Sequence, residues 1–390
     1  MSGRTAVISG GSRGIGLAIA VFTVADAFLL RPLPVREQNR LVVLWGATPD
    51  GRFDNFPLLL DDARDFARRV RSLDRVEFFS YGGAFPIPIR DGSRVFHMRR
   101  SGVSGGYFEL LGTPPLLGRP LLPEDDVAGA APVVVLSHSA WQRYFGGDTL
   151  VLGRRLVVHA TGVAHSIVGV MPIGLDYPRG TDFWAPVIPN AWSLGDTPVY
   201  AELNVIGRLR RGASPAEARD ELTSFFARPG APELTRSVRG VVHSLTNAIL
   251  GDVRPAVLAF AAAAGLLLLI TCINVANLLL VRGLGRVREI AVRSALGARR
   301  GRIVGQLVSE SALLALGGGI VGTVLASFAV DGFLAFAPPG TPRLDEIHLN
   351  ARAIGGAVAI TTVVMLLFAL APAVIASQEA DSASPGAARK

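Results

Sequence analysis

Ala256–Leu280 reads AVLAFAAAAGLLLLITCINVANLLL, and Val281–Ile303, directly after it, reads VRGLGRVREIAVRSALGARRGRI. The first stretch carries no charged side chain across 25 residues. Ser311–Val330 is uncharged for 20 residues and Ala353–Ser377 for another 25. As a helix rising about 1.5 Å per residue, each spans a hydrocarbon core about 30 Å thick. Between the first two lie seven arginines (282, 286, 288, 293, 299, 300 and 302) against one acid, Glu289. The opposite connection, Ala337–Arg352, is neutral, with two arginines and two acids. Short Arg-rich loops stay on the cytoplasmic side, so the asymmetry predicts three membrane helices with Val281–Ile303 facing the cytoplasm.

Composition points the same way. Half of the 390 residues are hydrophobic and the mean hydropathy is +0.41, more apolar than a charged soluble surface allows. The net charge is +8, and the basic loop alone supplies most of it. The excess therefore reads as topology, and a nucleic-acid partner is not expected. Lys390 is the only lysine. Cys272 is the only cysteine and lies in an apolar stretch, which excludes a disulfide framework and a thiolate metal site. The six histidines are scattered without ligand spacing, so no metal is expected.

Residues 31–250 have a different texture, with frequent Pro and Gly and apolar runs of four to eight residues. Leu41–Trp45, Val133–Leu136, Arg155–His159 and Ser166–Met171 read as strands. The last two flank Thr161-Gly162 and predict a hairpin. Leu58–Val70 has helical spacing. Ser214-Pro215-Ala216-Glu217 sets a cap, a first-turn proline and a capping-box acid before the helix Ala218–Ala227. This is an α+β domain, which the topology places outside the cytoplasm.

Gly14–Leu30 is then the first span, short and containing Asp26, with Arg4 and Arg13 ahead of it. Cleavage at Ala25-Asp26-Ala27 is the rival reading. Thr5–Gly16 (TAVISGGSRGIG) also resembles the strand–Gly-turn–helix opening of short-chain dehydrogenases, which would bind a dinucleotide through backbone amides. The context fails: no Tyr-x-x-x-Lys exists, and Arg31-Pro32-Leu33-Pro34 interrupts any βαβ pattern. Gly102-Val103-Ser104-Gly105-Gly106 matches the nucleophile-elbow pattern, but Arg99-Arg100-Ser101 ahead of it does not read as a buried strand. A turn into Tyr107-Phe108 is expected instead. Ser137, His138 and Asp182 form a triad only on paper. No catalytic residue, cofactor or enzymatic activity is expected, and no P-loop is present. Asn274 and Asn277 share one helix face; they suit inter-helix hydrogen bonding or a polar pathway.

Arg288–Arg300 (REIAVRSALGARR) resembles the cytoplasmic loop of FtsX-like permeases of the MacB type of ABC transporter. Further stretches are similar to that type's periplasmic core domain: Leu30–Pro34, Val103–Gly112, Leu136–Arg143, Ile167–Pro172 and Val205–Leu209. The resemblance runs from residue 14 to about residue 377; only residues 1–13 depart from it. It implies a membrane protein, an α-helical transmembrane bundle of one plus three spans. A large α+β domain is inserted between the first and second spans. The divisions are residues 1–30, 31–250, 251–377 and a cytoplasmic tail, 378–390. It implies a permease subunit in the cell inner membrane, surrounded by lipid. The partners implied are a separate cytoplasmic ATPase and, as a homodimer or heterodimer, a second permease unit. Its mechanism would be efflux or mechanotransmission. In that setting Glu289–Arg300 is expected to be a short coupling helix. Ile290, Val292 and Leu296 would be apolar anchors, and Arg293, Arg299 and Arg300 would offer charge to an acidic rim of the ATPase, with Glu289 and Gly297 in the same loop. The alternatives are an NAD(P)-dependent oxidoreductase, on residues 5–16 alone, and a membrane-anchored scaffold without an ATPase.

Overall fold

The computed structural model describes residues 19–26, 28, 31–81, 86–175, 177–187, 202–251, 254–263, 265–267, 269, 270, 273, 320–332, 334, 335, 347 and 354–356. The chain divides into two compact units. One comprises Met1–Arg31, Arg254–Ala337 and Ile347–Lys390; the other comprises Pro32–Val253 and Pro338–Glu346.

The second unit is built on one mixed sheet. Its described strands are β1 (Leu41–Ala47), β2 (Leu73–Phe79), β3 (Ile87–Asp91), β4 (Arg94–Met98), β5 (Arg100–Val103), β6 (Leu117–Gly118), β7 (Val133–Leu136), β8 (Arg155–Val158), β9 (Ala164–Val170), β10 (Phe183–Pro186), β11 (Asn204–Leu209) and β12 (Arg239–Ser244). They run in the order β12-β1-β11-β2-β5-β10-β7-β9-β8-β3-β4, with β6 paired to β9. The helices are α1 (Leu60–Arg69), α2 (Tyr107–Leu111), α3 (His138–Phe145), α4 (Pro215–Phe226), α5 (Glu233–Arg236) and α6 (Leu245–Leu250).

Two cores divide this sheet. In the first lobe, β12, β1, β11 and β2 are antiparallel throughout, with Leu44 opposite Val205. Strand side chains alternate between faces. Val42 and Leu44 therefore join Val205 and Leu209 under α1 and α4, which contribute Phe66, Leu222, Phe225 and Phe226. Leu41 and Val43, on the other face, are equally buried. In the second lobe, the wholly apolar β7 runs parallel to β9 and antiparallel to β10. Val134, Leu136, Ile167 and Phe183 form its core with Trp141 and Phe145 of α3. The lobes meet on a narrow seam, where β2 and β5 pair at Phe79 and Val103.

Local chemistry explains several elements. β8 and β9 form the expected hairpin, Leu156 opposite His165, and Gly162 sits in the turn at φ 69°, a conformation glycine adopts without penalty. The capping box of α4 is complete. Ser214 Oγ accepts from the Glu217 amide at 3.2 Å, and the Glu217 carboxylate accepts from the Ser214 amide at 3.1 Å. One expectation is corrected. Arg100–Val103 is a strand, with Ser101, Gly102 and Val103 buried between β2 and β10. Neighbouring strands impose extension on a segment whose own residues argue weakly for it.

In the first unit, residues 19–25 are helical, as are 254–263, 265–267 and 320–332 among others. Asp26 is paired to Arg31 at 3.5 Å. No helix among the described residues is long and apolar enough to cross a membrane.

Candidate functional site

Every residue assigned to the coupling loop (Glu289, Ile290, Val292, Arg293, Leu296, Gly297, Arg299 and Arg300) lies outside the described residues, as do Asn274 and Asn277. What the structure positions is the sheet-based unit Pro32–Val253 and its two chain ends.

The elbow-like motif is a packing device. Ser104 Oγ donates to the Glu77 carboxylate at 2.6 Å and accepts from the Phe78 amide at 2.8 Å, so the hydroxyl is committed to holding β2 against the β5–α2 turn. A Cβ on Gly106 would stand 2.0 Å from Glu77 Oε1, so a larger residue there would displace the carboxylate that holds Ser104. Arg75 closes the same network on Glu77 and Glu109, and the Glu109 carboxylate beside its guanidinium raises the pKa of Arg75. The paper triad does not form either. Ser137 caps α3 by accepting from the Ala140 amide at 3.2 Å. The Asp182 carboxylate accepts from the Arg99 amide at 2.8 Å and faces Arg143 at 3.6 Å. Burial raises the Asp182 pKa against the pull of these partners. His138 packs its ring on Trp141. No group of His, Cys, Asp and Glu able to hold a metal occurs among the described residues.

The domain's chain ends are pinned together. The turn Gln38–Arg40 contacts α6, the helix through which the chain leaves the domain. Arg179 donates to the Ala248 and Ile249 carbonyls at the C-terminal end of α6, where a cation suits the helix dipole. Arg179 follows Tyr177-Pro178, whose peptide bond is cis, and the Tyr177 carbonyl accepts from both Tyr107 Oη (2.9 Å) and Trp184 Nε1 (3.0 Å). The last helix of the domain is thus tied through one arginine to the centre of the sheet.

Beside the Gln38–Arg40 turn an open basin of about 630 Å³ is lined by Arg36, Glu37, Arg40, Asp74, Arg208, Arg210 and Arg211. Arg40 is its fixed point, bonded to Glu37, to Asp74 at 2.8 Å and to the Leu209 carbonyl. Glu37 holds a left-handed backbone (φ 52°), unusual for a residue with a Cβ, and its carboxylate lies between Arg40 and Arg208. These residues are spread over the sequence and meet because β1 pairs with β11, Leu41 opposite Arg208. No short motif marks them; only the strand register does.

The domain is therefore an α+β scaffold with a basic basin and no catalytic constellation among its described residues, joined at both ends to strongly apolar sequence. The chain belongs to the MacB-like periplasmic core domain family, whose profile matches residues 7–225, and residues 261–380 match the FtsX-like permease C-terminal family. The chain thus combines a MacB-like periplasmic core domain with an FtsX-like permease segment. The dehydrogenase resemblance of residues 1–16 finds no support, and the core-domain profile already begins within that stretch. Among relatives, the macrolide export ATP-binding/permease protein MacB of Neisseria gonorrhoeae is 25% identical over 329 residues, covering 81% of this chain and 47% of that protein. The protein of the same name in Escherichia coli K12 is 29% identical over 287 residues, covering 70% and 41%. The chain thus spans about half the length, or less, of these relatives. Among solved structures, the periplasmic region of MacB from Actinobacillus actinomycetemcomitans aligns with a TM-score of 0.42 at 15% identity, covering 57% of this chain and 94% of that one.

Proposed function

We propose that this chain is a membrane permease subunit that converts ATP hydrolysis by a separate cytoplasmic subunit into motion of its extracytoplasmic domain. The observation that carries this reading is the order of the two family matches: a periplasmic-type core over residues 7–225, then a permease-type segment over 261–380. Relatives combine ATP-binding and permease functions by name, and those names specify macrolide export. Export driven by an ATPase is the part carried to this chain.

Exposure in the first unit supports a membrane setting. Phe260, Leu266 and Phe328 are 63%, 62% and 70% exposed on helical segments that offer few charges. Such surfaces are unfavourable in water and neutral against hydrocarbon. The topology that follows has residues 31–250 outside, Val281–Ile303 inside and Ala337–Arg352 outside. A second permease unit, identical or not, completes a dimer. Glu289–Arg300 is the docking helix for the ATPase, and Asn274 and Asn277 bond between helices.

The tie between Arg179 and α6 gives motion a route, since displacement of the chain following α6 is passed to the sheet rather than absorbed in a slack linker. Proteoliposomes containing this chain and an ATPase subunit test the reading. MgATP should change energy transfer between fluorophores on the extracytoplasmic domains of two copies. Hydrolysis without any such change would contradict it.

A further inference from the structure

We infer that the basin lined by Arg36, Arg40, Arg208, Arg210 and Arg211 is a binding site for anionic phospholipid headgroups on the extracytoplasmic membrane surface. The inference rests on the membrane reading above and assigns the domain a lipid ligand that this reading does not require.

Charge is the first argument. Five guanidinium groups face two carboxylates, Glu37 and Asp74, leaving an excess of about three positive charges. Both acids are engaged by Arg40, and Glu37 is shared with Arg208. Arg36, Arg210 and Arg211 form no ion pair among the described residues. Arg208 is held in the wall, its Nη2 donating to the Leu110 carbonyl and its Nε facing Glu37 at 3.5 Å. The site is thus partly neutralised and partly left open. That is the pattern expected where a phosphate diester supplies the missing acceptor oxygens to forked guanidinium donors.

Position is the second. Arg36 is five residues from Arg31, so a fully extended chain allows at most about 18 Å between them. The apolar Gly14–Leu30 lies immediately before that point in sequence. The Gln38–Arg40 turn that walls the basin also contacts α6, which ends at Leu250, four residues before the first unit resumes at Arg254. Both apolar stretches are therefore only a few residues away from the basin along the chain. Shape is the third. The basin is open to solvent, which suits a headgroup presented on a surface.

Full-length protein in detergent, titrated with dihexanoyl phosphatidylglycerol, dihexanoyl phosphatidylcholine or inorganic phosphate and read by native mass spectrometry, tests this. The wild type should retain phosphatidylglycerol over phosphatidylcholine. At roughly fivefold per arginine beside an anionic surface, Arg210→Gln with Arg211→Gln should weaken that retention about 25-fold. Arg68→Gln, on α1 outside the basin, should not. Equal retention of the two lipids, an unchanged double variant, or displacement by equimolar inorganic phosphate would each overturn the lipid assignment. So would a double variant that keeps phosphatidylglycerol but loses a partner protein. Carbonate extraction of the same chain reads the membrane assignment separately. A membrane-retained chain that fails to discriminate lipids sinks this inference alone, whereas a chain released by carbonate sinks the reading beneath it.

Discussion

His165 should make this domain acid-sensitive well above the range of ordinary carboxylates. The side chain sits on β9 and is 1% exposed. Burial lowers its pKa from 6.5 to about 4, opposed by the nearby Val163 backbone and helped by the Arg100 guanidinium. Arg100 is itself desolvated, which brings it down to about 10, still charged at neutral pH. Protonating His165 would place a second cation beside it in the core of the second lobe. The folded pKa is depressed, so the stabilisation is complete above the unfolded value of 6.5. It is lost as pH falls from there towards 4, because the unfolded chain binds the proton more tightly. Between pH 7 and pH 5 the loss is about 2 kcal/mol at about 1.4 kcal/mol per pH unit. Urea unfolding of the full chain in detergent reads this through tryptophan emission, since all four tryptophans lie in residues 31–250. The wild type should lose about 2 kcal/mol across that interval, and His165→Gln should lose far less, whatever its absolute stability. Equal pH slopes in the two proteins would refute the reasoning.

Two further outcomes are expected. Ser214→Ala removes one arm of the capping box that starts α4, the helix supplying Leu222, Phe225 and Phe226 to the first core. It should cost about 1 kcal/mol, seen as a fall of about 2–4 °C in the melting temperature. With Cys272 replaced, a cysteine introduced at position 295 should stay unlabelled by an impermeant maleimide in intact cells and react after permeabilisation. One introduced at position 68, in α1, should react from outside.

Much of this fold was legible because local chemistry and tertiary context agree. The uninterrupted Val133–Leu136 run is β7, Gly162 turns the β8–β9 hairpin, and Ser214 with Glu217 starts α4. β2 was not legible, because Asp74, Arg75 and Glu77 hide its extended state and the pairing with β11 enforces it. β5 failed for the same reason, with Arg100 masking a strand buried by its neighbours. The basic basin leaves no trace in sequence, since Arg36 and Arg208 are brought together only by the register of β1 on β11. Glu289–Arg300, by contrast, stands out in the sequence through its arginines and its family resemblance and lies outside the described residues, so its role is argued from sequence alone.

That role offers the most direct test of the account. Affinity-tagged full chain would be purified from membranes in mild detergent, alongside Leu296→Asp, and the co-purifying proteins identified. A P-loop ATPase subunit should accompany the wild type, and Leu296→Asp should lose it while still reaching the membrane in normal amount. The account is contradicted if no P-loop ATPase accompanies the wild type, or if the variant retains it at the wild-type level.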